Sequence, residues 1–137
     1  MTSPPSDVPK AVVHRWPYVP ESVPDARRAL LAVLDGWGMH DLAHEAGLVL
    51  SELLTNAVVH VRGDQERIET RFERRPDGEL HLEVDDAGAG MPLMHVPSDE
   101  AEGGRGLQLV NTFTAGQWGV IRHRSGKTVW ARLSALP

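Results

Sequence analysis

The chain has 137 residues, a mass of 15.0 kDa and a formal net charge of −5, with 41% hydrophobic residues, 24% charged residues and no cysteine. The length suits one domain, large enough to bury about 68% of the surface exposed when unfolded, and the composition is that of a folded chain. Disulfides, thiolate metal sites and a cysteine nucleophile are excluded, net acidity argues against direct nucleic-acid binding through a bulk field, and no apolar run approaches the roughly 20 residues of a bilayer span.

Residues 1–10, MTSPPSDVPK, read as a flexible leader to a single domain over 11–137. The leader has no apolar stretch, which argues against a signal peptide. The expectation is a soluble, cytoplasmic protein without a membrane segment. Ala11 to Val19 reads as a strand, and Pro17 suits an edge position. Pro20 to Pro24 is a turn. From Asp25, the spacing of Ala26, Ala29, Leu30, Val33, Leu34 and Trp37 predicts a helix ended by Gly36 and Gly38. His40 to Val61 is a second helix with Asp41 as N-cap and an apolar stripe of Leu42, Ala46, Val49, Leu50, Leu53, Ala57 and Val61.

Ile68 to Arg74 and Leu80 to Val84 alternate around Pro76-Asp77-Gly78, a hairpin signal. A glycine-rich stretch and a polar loop follow, running to Gly104. A third helix carries Leu107, Leu109, Val110 and Phe113. Gln117 to His123 and Thr128 to Leu133 form a closing hairpin. Trp37 and Trp130 read as core. The order β-α-α-β-β-α-β-β predicts an α+β two-layer sandwich: a mixed, mostly antiparallel sheet with the helices on one face.

Three segments could carry chemistry. In LVLSELLTNAVVHV, Glu52 and Asn56 are four apart and share one helix face. A solvated face explains that spacing equally well. Asn, however, competes for backbone hydrogen bonds inside a helix, and here it stands among long apolar neighbours. An amide oxygen there suits Mg²⁺, and a carboxylate one turn away could deprotonate an attacking hydroxyl. In LEVDDAGAGMP, Asp86 ends a strand before two glycines. It is either a plain turn or a carboxylate that accepts from an exocyclic amine beside backbone open enough for a flat ring. In EGGRGLQLV, three glycines and Arg105 precede a helix, a place where backbone N–H groups meet anions. His40, His44 and Glu45 could suggest a metal site, but no third ligand has convincing spacing.

At these residues the chain resembles the GHKL ATPase superfamily over roughly residues 11–135. SELLTNAVVH resembles its N-box, VDDAGAG its first glycine box, Gly104-Arg105-Gly106-Leu107 its second, and the stretch from Gly126 to Trp130 its closing G-x-T segment. The resemblance implies a Bergerat-type fold that binds ATP and Mg²⁺. It implies Glu52 as general base, Asn56 as Mg²⁺ ligand and Asp86 as adenine reader, with Thr128 in the same adenine network. Gly88 and Gly90 would line the base pocket, with Met91 beside them. Gly104, Arg105, Gly106 and Leu107 would meet the phosphates, and residues 91–103 would form the ATP lid.

Within the superfamily the chain is most similar to the small stand-alone anti-sigma-factor serine/threonine kinases. That likeness implies a sigma factor and a STAS-domain anti-anti-sigma factor as partners, with the possibility of a homodimer. A histidine kinase is not expected, because only one helix precedes the N-box. Asp99, Glu100 and Glu102 crowd the expected lid with negative charge. This favours an alternative reading, a nucleotide-gated protein-binding module with little or no kinase activity.

Overall fold

The computed structural model describes residues 9–60, 67–86, 103–124 and 126–134. The elements are β1 (Ala11–Pro17), α1 (Ser22–Trp37), a 3₁₀ turn (His40–Leu42), α2 (Ala43–His60), β2 (Arg67–Arg74), β3 (Leu80–Asp86), α3 (Gly103–Thr114), β4 (Trp118–His123) and β5 (Gly126–Leu133). Their kinds and order are those expected.

The boundaries differ where local chemistry decides them. α1 begins at Ser22, three residues before Asp25, so Pro24 lies inside its first turn. Proline is tolerated there because first-turn N–H groups have no helical partner. Gly38, at φ 73°, ends the helix, its N–H donating to Asp35 O at 3.2 Å, while Met39 N–H donates to Leu34 O at 2.9 Å. Asp41 sits within the 3₁₀ turn and does not cap α2. β3 runs two residues beyond Val84, and those two residues are the aspartates.

The five strands lie in the order β1-β2-β3-β5-β4, every neighbouring pair antiparallel. The expected mixture of directions is therefore absent among the described strands. Had β4 joined β3, it would have run parallel to it. β5, the reversed arm of the final hairpin, takes that place instead. β1 is an edge strand, where Pro17 can end a ladder without leaving a neighbour unpaired.

The helices cover one face of the sheet. α2 packs on β3, β5, α1 and α3, and α3 also packs on β4 and β5. Period-two alternation sends Ile68, Thr70 and Phe72 of β2, and Leu80, Leu82 and Val84 of β3, into the interior. They meet Leu30 and Leu34 of α1 and Val49, Leu50, Leu53 and Leu54 of α2. Each large apolar side chain buried this way contributes about 1.5–3 kcal/mol. Trp37 joins this core, but Trp130 does not. It alternates to the face away from the helices, where it stacks on His81 with ring centroids 6.2 Å apart and lies 5.1 Å from the Arg132 guanidinium.

Candidate functional site

Asp86 is the last residue of β3 and the last of the row Leu80, Leu82, Val84, so alternation places it on the helix-covered face. It is only 6% exposed. A carboxylate so placed must be partnered. The Tyr18 hydroxyl donates to its Oδ1 at 2.6 Å, and Lys127 Nζ lies 3.6 Å from its Oδ2.

Thr128, expected beside Asp86, faces the other way. In the register of β3 and β5, Asp86 opposes Lys127 and Asp85 opposes Thr128. The Thr128 hydroxyl donates to Asp85 Oδ1 at 3.1 Å and is 2.9 Å from His123 Nε2. Burial raises the Asp85 carboxyl above its ordinary value, opposed by the Thr128 hydrogen bond. Glu69 and Glu83 add to the rise, and His123 works against it. Asp85, the first aspartate of the pair, thus belongs to a separate polar cluster on the face away from the helices.

Glu52 and Asn56 lie one turn apart on α2, both half-buried, between the buried residues Leu53, Leu54 and Ala57. They stand at the margin of the apolar stripe rather than on a fully solvated face. Leu54, outside the expected stripe, is fully buried and widens the interior face of the helix. Gly104, Arg105 and Gly106 fall in the first turn of α3, and Leu107 follows, half-buried. α2 packs against both β3 and α3. The elements carrying the three motifs are therefore assembled around α2. Gly88, Gly90, Met91 and the segment through residue 102 lie outside the described residues.

Tyr18 and Lys127 are two contacts of Asp86 that motif spacing does not single out. Alternation could have found both. Val129, Ala131 and Leu133 share a face of β5 with position 127, and Val12, His14 and Trp16 of β1 lead at the same spacing to Tyr18. A cleft of about 310 Å³ lined by Trp37, Met39, Arg74 and Arg75 lies at the opposite end of β3 from Asp86. It is separate from this constellation. No described helix is long and apolar enough to cross a membrane.

A family model for the histidine kinase-like ATPase domain matches residues 17–133, a span from the end of β1 to the end of β5. Nine solved chains match as well. One is the histidine kinase domain of the blue-light activated histidine kinase from Erythrobacter litoralis EL346, similar at 24% identity with a TM-score of 0.54. The match covers 87% of this chain and 61% of that one, so the chain spans less than two thirds of that structure's length. At this identity the likeness speaks for the α+β fold alone. No curated protein shows a comparable similarity. With the family match running through the strand that ends in Asp86, the helix of Glu52 and Asn56 and the glycine-started α3, the chain belongs to the histidine kinase-like ATPase domain family.

Proposed function

We propose that this chain binds ATP with Mg²⁺ and transfers the γ-phosphoryl group to a serine of a STAS-type protein partner, while its folded surface holds a sigma factor. The observation that carries the nucleotide reading is the buried Asp86 carboxylate at the end of β3, a strand against which α2, the helix of Glu52 and Asn56, packs. An ionised carboxylate accepts from an exocyclic amine, as the N6 group of adenine offers. The half-buried Asn56 amide oxygen fits a cation that takes few protein ligands and keeps its waters. The kinase step and the two partners rest on the resemblance of the motifs to anti-sigma-factor kinases.

In this reading the chain's task is positioning. Asp86 holds the base. Backbone N–H groups of the first turn of α3 donate to phosphate oxygens. Asn56 would hold Mg²⁺, which supplies charge neutralisation on the β- and γ-phosphates when bound. Glu52 accepts the proton of the serine hydroxyl as its oxygen bonds to the γ-phosphorus and the bond to the β–γ bridging oxygen breaks, leaving ADP.

Calorimetry with ATP, ADP and GTP, each with and without Mg²⁺, tests the binding half. Magnesium-dependent preference for ATP over GTP is expected; equal affinity for both overturns the adenine assignment. Transfer is tested with γ-labelled ATP and a serine-bearing STAS domain, comparing wild type with Glu52→Ala. Label on the partner that disappears in the variant supports the kinase. ATP binding with no labelled partner supports the nucleotide-gated module instead, which the acidic residues Asp99, Glu100 and Glu102 favour.

A further inference from the structure

Both oxygens of Asp86 are engaged from within the protein. Tyr18 takes Oδ1 at 2.6 Å, and the Lys127 ammonium stands 3.6 Å from Oδ2. At 6% exposure the carboxylate has little surface left for another donor while the phenol stays in place. Tyr18 comes from the connector between β1 and α1, 68 residues away in sequence.

That connector is tied down on both sides of the tyrosine. Val19 N–H donates to Pro17 O at 2.9 Å, Ser22 N–H to Val19 O at 3.0 Å, and Ser22 Oγ to Pro17 O at 2.7 Å. The Trp16 indole N–H donates to Thr70 Oγ1 at 2.9 Å. A fixed backbone therefore delivers the phenol to the carboxylate, so withdrawing it takes a change of side-chain rotamer.

We propose that Tyr18 is a tethered competitor for the base-reading carboxylate: its hydroxyl occupies the acceptor that an exocyclic amine needs, and it must swing away before a nucleotide base can dock. The proposal rests on Asp86 being the base reader. Hydrogen bonds to ionised groups are the stronger kind, so the closed arrangement is well populated. The apparent affinity for a nucleotide then falls in proportion to the fraction of molecules in which Oδ1 is open. A ligand that meets only the phosphate-binding elements escapes this competition. Lys127 faces the other oxygen and can stay during docking.

The test is calorimetry of wild type, Tyr18→Phe and Asp86→Ala with ATP and with inorganic tripolyphosphate, all with Mg²⁺. The phenylalanine variant is expected to bind ATP about tenfold more tightly or better, with its tripolyphosphate affinity unchanged. Asp86→Ala is expected to lose ATP affinity. If Tyr18→Phe binds ATP no better than wild type while Asp86→Ala loses it, the competitor role is overturned and the base reading stands. If Asp86→Ala binds ATP like wild type, the base reading falls and takes this proposal with it.

A second measurement needs no substitution. Tyr18 is the sole tyrosine of the chain, so 3-fluorotyrosine labelling gives one ¹⁹F resonance. Saturating ATP is expected to move that resonance, and tripolyphosphate to leave it in place. A resonance that ignores ATP in a protein that binds it overturns the proposal.

Discussion

Lys127 and Asp86 are direct partners across β5 and β3, with the ammonium 3.6 Å from the carboxylate and side-chain exposures of only 17% and 8%. Replacing Lys127 by Met keeps most of the stem and removes the charge. Removing one partner of a buried pair costs up to about 3–5 kcal/mol when the other charge is left uncompensated. Tyr18 still donates to Asp86 here, so the expected loss is about 1–3 kcal/mol by urea denaturation. A Lys127→Met protein within about 0.5 kcal/mol of wild type contradicts this account.

Asp85 should behave in the opposite way. Its carboxyl is raised by burial, so the folded protein holds that proton more tightly than the unfolded chain does. Between the ordinary carboxylate value and the raised one, its contribution to stability falls as pH rises, and at neutral pH the ionised form opposes folding. Asp85→Asn keeps an oxygen for the Thr128 hydroxyl and removes the charge. Thermal denaturation is expected to show a higher Tm for the variant at pH 7, and a smaller advantage below about pH 4. An advantage that does not change with pH assigns the effect to something other than ionisation.

Asn56→Ala separates ligation from packing. The side chain is half-buried on α2, and alanine is a better helix residue than asparagine. Stability is expected to stay within about 1 kcal/mol of wild type. Affinity for ATP should fall only when Mg²⁺ is present. Calorimetry showing equal losses with and without magnesium would remove Asn56 from the cation site.

Gly119 lies opposite Trp130 on the last hairpin, and a Cβ there would come within 2.9 Å of the indole Nε1 and 3.0 Å of Cζ2. The indole lies against His81 and Arg132, and Arg132 is itself fixed by donating from Nε to His81 Nδ1 at 3.1 Å. Gly119→Ala is expected to cost about 1–3 kcal/mol. In a Trp130→Ala background the clash has no partner, so a thermal double-mutant cycle should show clear non-additivity. Additive losses would mean that the indole yields freely.

The order of the elements was legible because each carries its own period and its own stops. Leu80, Leu82 and Val84 spell a strand, and the stripe from Leu42 to Ala57 spells a helix. The candidate site reads as three motifs, and α2 packs on β3 and α3, the elements that carry the other two. The partners of Asp86 were harder to see, because they depend on which strand lies beside β3. The motif pattern pointed to Thr128, yet the β3–β5 register turns Thr128 toward Asp85 and puts Lys127 opposite Asp86. Alternation along β1 gives the face of Tyr18, but its contact with Asp86 spans 68 residues and depends on how β1, β2 and β3 align. α1 begins earlier than its spacing predicts for a smaller reason: Pro24 reads as a break but is tolerated in a first turn.

The buried aspartate at the tip of β3 has a consequence for how the strands find their alignment. Sliding β3 by one position would turn its whole apolar set outward, which hydrophobicity alone forbids. Sliding it by two would keep Leu80, Leu82 and Val84 facing inward, and alternation would raise no objection. A shift of two in one direction would carry the Asp86 charge opposite Val129, and a shift of two in the other would strand Lys127 opposite Val84. One ionised side chain thus penalises the even-numbered misalignments that an apolar code would accept, and it makes the strand ladder self-indexing.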